Sequence, residues 1–131
     1  LADPAPIVQT FFIHNDISSL FYLDGVVTVV DGAHILDRMN DKRTKRDTNE
    51  AIEQVAFADK VLLNKMDLLL NTANGGHDQV EKVQDAIRRI NPTVSIIQTT
   101  NSVVDCNQLL NIGGFDLERA LEMDPEFLEL P

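Results

Sequence analysis

The sequence holds one cysteine, one tyrosine and no tryptophan among 131 residues. A single cysteine excludes an internal disulfide framework and fits a reducing compartment. Cys106 is expected to be a buried or half-buried structural thiol, because Asp105 beside it opposes the electropositive setting a reactive thiolate needs. No run of about 18 apolar residues occurs, so no membrane span is expected. The opening Leu1-Ala2-Asp3-Pro4-Ala5-Pro6 lacks an initiator methionine. It fits neither a basic-then-apolar signal peptide nor an Arg-rich transit peptide. The expectation is a segment processed or excised from a longer chain, working in the cytoplasm or in an organelle stroma or matrix after transit-peptide removal. Positive charge is also scarce, with 11 Lys and Arg against 21 Asp and Glu and a formal net charge of -10. That argues against a nucleic-acid partner, since phosphate contacts need clustered basic residues. The one basic run, Lys42-Arg43-Thr44-Lys45-Arg46, reads as a solvated loop.

What is present suits one domain with a modest core: 44% hydrophobic and 24% charged residues. Three apolar runs have strand character, at residues 26–30, 60–63 and 93–97. The first and third are rich in β-branched residues, and all have the length of buried strands. Helical patterns lie around them, at residues 6–14, 49–58, 77–90 and 116–123. Asn49 and Asp116 are the expected N-caps of the second and last, and Asn91-Pro92 stops the third. Turns are expected at residues 41–47 and 71–76. Alternating helices and strands of this kind predict an α/β fold with a parallel sheet and flanking helices.

Chemistry concentrates directly after the second run, in Asn64-Lys65-Met66-Asp67. This Asn-Lys-x-Asp pattern suits a guanine base. The Asp67 carboxylate offers two acceptor oxygens to the ring N–H and exocyclic amine that guanine presents side by side. Adenine places an acceptor where Asp67 needs a donor and is rejected. Bidentate pairs of this kind discriminate by about 1–3 kcal/mol in nucleic-acid recognition. Asn64 is expected to bond the base edge or to tie neighbouring loops together. Lys65 is expected to lay its aliphatic stem on the purine face. Ligands of open parallel sheets bind at the carboxyl ends of strands, where Asn64 falls. The third run ends in Gln98-Thr99-Thr100-Asn101-Ser102, a loop expected beside Asn64. Thr100, Asn101 and Ser102 are candidates to close on the nucleotide, and an ordinary polar loop is the alternative. Asp31 ends the first run and is expected either to point at the nucleotide or to cap the next helix.

A phosphate cradle is missing. None of the six glycines is followed by lysine, so no G-x-x-x-x-G-K-[ST] loop exists within the 131 residues. No catalytic residue is therefore assigned, and the cradle is expected upstream of Leu1.

In several ordered blocks the sequence resembles the CobW-type P-loop GTPases, nucleotide-dependent metallochaperones and metal-insertase helpers. The first six residues resemble the stretch directly after that family's Glu-x-x-Gly switch motif, and residues 23–31 resemble its next strand. Residues 53–68 resemble its most recognisable segment. Ile90-Asn91-Pro92 and residues 115–121 fit too. The resemblance implies a P-loop GTPase fold, with residues 1–131 forming the C-terminal portion of the GTP-binding domain. It implies GTP or GDP as the ligand, read by Asn64, Lys65 and Asp67, and a metal-requiring client protein as partner. It sets Asp3 just after the switch motif, near the γ-phosphate; a helix cap before Pro4 fits Asp3 equally. The family's Walker A loop, Cys-x-Cys-Cys metal motif and switch glutamate all belong upstream of Leu1. Mg²⁺ and transition-metal sites are accordingly expected only there, and a C-terminal domain beyond Pro131.

His14, His34 and His77 lack a second His or Cys at ligand spacing, so no metal site is expected in this segment. Two functional readings remain. One is the guanine-recognising part of a GTP-hydrolysing metallochaperone, inactive alone. The other is a non-catalytic α/β module that binds a protein partner. In either case a sheet without its inner strands exposes an edge, so the isolated segment is expected to self-associate, aggregate or fold only marginally.

Overall fold

A computed structural model describes residues 3–40, 49–71, 76–123 and 125–128. The basic run at 42–46 and most of the expected turn at 71–76 lie outside the described residues.

The chain begins with helix α1 (Pro4–Ile13), started by Asp3, whose carboxylate accepts from the Ala5 N–H at 3.0 Å. Proline is tolerated there because the first helical N–H groups have no intrahelical partner. A short helix α2 (Asn15–Ser18) leads by a turn and an irregular segment into strand β1 (Val27–Asp31). Helices α3 (Ile35–Met39) and α4 (Glu50–Phe57) come next. Asn49 serves both: its Oδ1 accepts from Ala51 and Ile52 at the start of α4, while its amide donates to the Arg38 and Met39 carbonyls that end α3. Strand β2 (Lys60–Asn64), helix α5 (Met66–Leu70), helix α6 (Gly76–Ile90), strand β3 (Ser95–Gln98), a 3-10 turn (Cys106–Gln108) and helix α7 (Leu117–Met123) complete the order.

Among the described residues the strands form one parallel sheet in the order β1-β2-β3. This is the expected α/β architecture of a parallel sheet with flanking helices. β1 and β3 start one and two residues later than their apolar runs, while β2 starts where its run does and ends one residue beyond it. β2 is central, and Val61, Leu62 and Leu63 are all buried, as a strand covered on both faces must be. Val55, Val83, Ile87, Leu69 and Met66 close over it from α4, α6 and α5. In α6 the buried Val80, Val83 and Ile87 recur at helical spacing. A second cluster forms where α1 meets α4 and α7. Phe127 sits 5.8 Å from Phe57 and 6.2 Å from Phe12, centroid to centroid.

At the entry ends of the strands a polar network replaces apolar packing. The buried Asn91 amide donates to the Val55 and Ala58 carbonyls at 3.0 and 2.7 Å. The Asp59 carboxylate accepts from the Val26 N–H at 2.7 Å. Asp24 accepts from the Ile112 and Gly113 N–H groups, tying the segment before α7 to the start of β1. Gly113 has φ +52°, a left-handed turn that suits glycine.

The expectation for Cys106 is corrected: the thiol is exposed. Asp105 caps the 3-10 turn by accepting from Asn107, and residues 105–108 are all exposed. The general burial tendency of cysteine has no core to act on here. Among the described residues no helix is long and apolar enough to cross a membrane.

Candidate functional site

Parallel register brings Asp31 opposite Asn64, and Leu63 opposite Gln98, so the polar ends of all three strands meet at one edge. Asn64 is the hub. Its side-chain oxygen accepts from the Thr99 hydroxyl and from the Ser102 N–H, both at 2.9 Å. Since a backbone N–H can only donate, the oxygen is the amide atom facing the loop. The Asn64 NH₂ has no acceptor among the described residues. The sequence left Asn64 either to read a base edge or to tie loops together; its oxygen ties the loop, and its amide nitrogen is left to donate.

Two backbone bonds brace the same loop: Thr99 N–H donates to Leu63 O at 2.8 Å, and Met66 N–H to Thr99 O at 3.2 Å. Asn101 and Ser102 both take positive φ, 54° and 57°, bending the chain back over Asn64. Of the candidate loop residues, Ser102 bonds Asn64 through its backbone, while Thr100 and Asn101 present exposed side chains. Thr99, which sequence reasoning passed over, is buried and supplies the loop's one side-chain link to Asn64. The signal was its place directly after the strand, level with Asn64.

Lys65 turns the chain from β2 into α5 in the left-handed region, at φ 61° and ψ 37°. That conformation costs a non-glycine residue roughly 1 kcal/mol. It lets Met66 and Leu69 bury while Asp67, in the first turn of α5, stays exposed. The Asp67 carboxylate has no partner among the described residues. The Lys65 ammonium reaches Asp31 Oδ2 at 2.9 Å. Asp31 also accepts from the Ala33 N–H at 3.0 Å and faces His34 Nδ1 at 3.0 Å. It neither stands alone nor caps α3, whose first residue comes after His34. Burial works to raise the Asp31 carboxyl, but the bonds from Lys65, His34 and Ala33 together hold it below its ordinary value. Gly32 completes the edge. Its N–H donates to Asn64 O at 2.9 Å, and a Cβ there would stand only 2.9 Å from that same oxygen.

Asp3, whose carboxylate caps α1, shares no hydrogen bond with this cluster among the described residues. His14, His34 and His77 are not buried, and the described residues hold no group of three His, Cys, Asp or Glu side chains fit for a metal ion.

Comparison with known proteins matches residues 1–98 to the nucleotide-binding domain of the CobW/HypB/UreG family. The zinc chaperone YjiA of Escherichia coli (strain K12) is 35% identical over 118 residues, covering 90% of this chain and 33% of that protein. The zinc-regulated GTPase metalloprotein activator 1 of Saccharomyces cerevisiae is 30% identical over 130 residues, covering 91% of this chain and 29% of that protein. The crystal structure of Zn(II)-bound YjiA GTPase from E. coli, 35% identical in sequence, superimposes with a TM-score of 0.67, covering 88% of this chain and 32% of that one. The chain thus spans about a third of the length of these relatives.

Proposed function

The chain belongs to the CobW/HypB/UreG nucleotide-binding domain family, and from that premise we propose that it is the guanine-recognising part of a GTP-binding, GTP-hydrolysing metallochaperone. The observation that carries the reading is an Asn64 oxygen bonded to the loop beside an exposed Asp67 carboxylate that has no partner among the described residues, both at the carboxyl edge of a parallel sheet. Such an edge is where ligands of open α/β sheets bind. Asp67 accepts from the ring N–H and amine of guanine, the free Asn64 amide donates to an acceptor on the base edge, and the Lys65 stem covers one face. The loop at Thr100, Asn101 and Ser102 borders the base. GTP brings the phosphoanhydride that is cleaved. This chain's residues bind and orient the base alone, since no G-x-x-x-x-G-K-[ST] sequence lies within it.

On this reading the phosphate cradle, Mg²⁺ site and transition-metal motif belong to an upstream part of the protein. Asp3 leads from that part into α1. The metal is cargo, delivered to a metal-requiring client protein. The working compartment is the cytoplasm, or an organelle stroma or matrix after transit-peptide removal. The edge of β1, with Val29 55% exposed, is a surface for self-association when the segment is alone.

Calorimetry of GDP against ADP tests the reading, on this chain and on the chain extended upstream. Binding by the longer chain with preference for GDP is expected. Equal binding of ADP, or no binding of either, removes the base assignment and leaves the protein-binding module. The exposed Leu20, Phe21 and Tyr22 favour that second reading.

A further inference from the structure

The Lys65 ammonium has a fixed partner. It spans from the end of β2 to the end of β1, where Asp31 Oδ2 receives it at 2.9 Å. Asp31 is itself fixed from three sides. Its backbone is register partner to Asn64, its Oδ1 accepts from Ala33, and its Oδ2 also faces His34 Nδ1. Gly32, the next residue, is held to Asn64 O by its N–H. One carboxylate on a neighbouring strand is therefore tied by side chain and backbone to the turn that carries Asn64, Lys65 and Asp67.

The Lys65 side chain is 47% exposed and that of Asp31 23%. An ion pair this open adds little to fold stability. Its effect falls instead on the lysine stem, a long and rotamer-rich chain that a ligand would otherwise have to immobilise. We propose that Asp31 is a positioning residue of the base site, holding the Lys65 stem across the carboxyl ends of β1 and β2 before the nucleotide arrives. The inference rests on the guanine-recognition reading and adds a residue outside the Asn64–Asp67 motif. Asp31 touches no base in this arrangement; it acts through Lys65, and its contribution is to affinity rather than to the choice between guanine and adenine, which belongs to Asp67.

The test is a double-mutant cycle on the upstream-extended protein, read as GDP and ADP dissociation constants by calorimetry. The variants are Asp31→Ala, Lys65→Ala and the two combined. Asp31→Asn is a second route that keeps the side chain's size and its acceptor for Ala33. Melting temperatures are measured alongside. Asp31→Ala and Asp31→Asn are expected to weaken GDP about three- to tenfold, the cost of ordering one such side chain on binding. The preference for GDP over ADP should be retained. The combined variant should bind no more weakly than Lys65→Ala alone. Unchanged GDP affinity in Asp31→Asn overturns the proposal. Fully multiplicative losses in the combined variant also overturn it, because they place the effect of Asp31 in the fold and not in Lys65. If the unaltered protein fails to prefer GDP, the base reading falls first and takes the proposal with it, a result distinct from the failure of Asp31 alone.

Discussion

The Arg119 guanidinium stands 3.3 Å from the Asn91 carboxamide oxygen, joining α7 to the residue that ends α6. Both side chains then converge on Ala58: the Asn91 amide donates to its carbonyl at 2.7 Å, and Arg119 at 3.3 Å. The Ala58 peptide leads directly into the central strand, so this pair fixes where β2 begins.

Asn91→Ala is expected to destabilise the protein by roughly 1–3 kcal/mol, because it removes the buried amide that bonds the Val55 and Ala58 carbonyls and takes the carboxamide partner from Arg119. Thermal and urea unfolding of the upstream-extended protein would measure this. A loss below about 0.5 kcal/mol, the size of an ordinary surface substitution, would mean that the network is incidental to the fold.

Asp59 supplies a pH dependence. Burial pushes its carboxyl up, with Asp116 and Asp24 adding to the rise, while the Val26 N–H and Arg119 offset part of it. A raised folded value means that the native state holds this proton more tightly than the unfolded chain does. The contribution of Asp59 is fully present below the ordinary carboxylate value of 3.8 and is lost as pH rises through the folded value. Asp59→Asn should remove that slope and keep an acceptor for Val26. In melts stepped upward from about pH 3.5, just below that ordinary value, the variant should gain on the parent until the carboxyl is fully ionised, then run parallel. A difference constant across pH would contradict the assignment.

Asp67→Asn should invert the base preference. Xanthine carries an oxygen where guanine carries the exocyclic amine, and asparagine offers one donor and one acceptor side by side. GDP affinity is expected to fall by about 1–3 kcal/mol, the scale of a bidentate base contact. Xanthosine diphosphate affinity should rise in the same titrations. Equal loss of both nucleotides would show that Asp67 does not face the base's two donors.

Val29→Lys tests the sheet edge. Val29 is 55% exposed in the middle of β1, and a charge at such a position opposes strand addition. Self-association of the 131-residue chain, monitored by light scattering across concentration, should decrease. A monomer of the unaltered chain at all concentrations, with a sharp reversible melt, would count against the exposed-edge reading.

The strands and the long helices were legible because burial writes itself into sequence. β2 is continuous apolar sequence under two layers, and α6 repeats Val80, Val83 and Ile87 at helical spacing. The short helices α3 and α5 were not legible, since five residues are too few to establish a period. Of the candidate site, Asn64, Lys65 and Asp67 stood out as a motif. The left-handed backbone of Lys65 had no sequence signal, because lysine is not a residue that announces positive φ. Thr99 was hidden among polar neighbours that look alike until register sets only Thr99 against Asn64. Asp31 was visible as a strand end, but its bond to Lys65 joins positions 34 residues apart and depends on which strands are neighbours.

Because every strand runs the same way, the chain enters the sheet beside Asp24, Asp59 and Asn91 and leaves it beside Asp31, Asn64 and Thr99. The first set braces the fold, the second holds the proposed base site, and no hydrogen bond joins them directly among the described residues. Variation at the exit loops can therefore retune the ligand while the lock at the opposite end keeps the scaffold. A protein built in this way can change what it reads without having to refound its core.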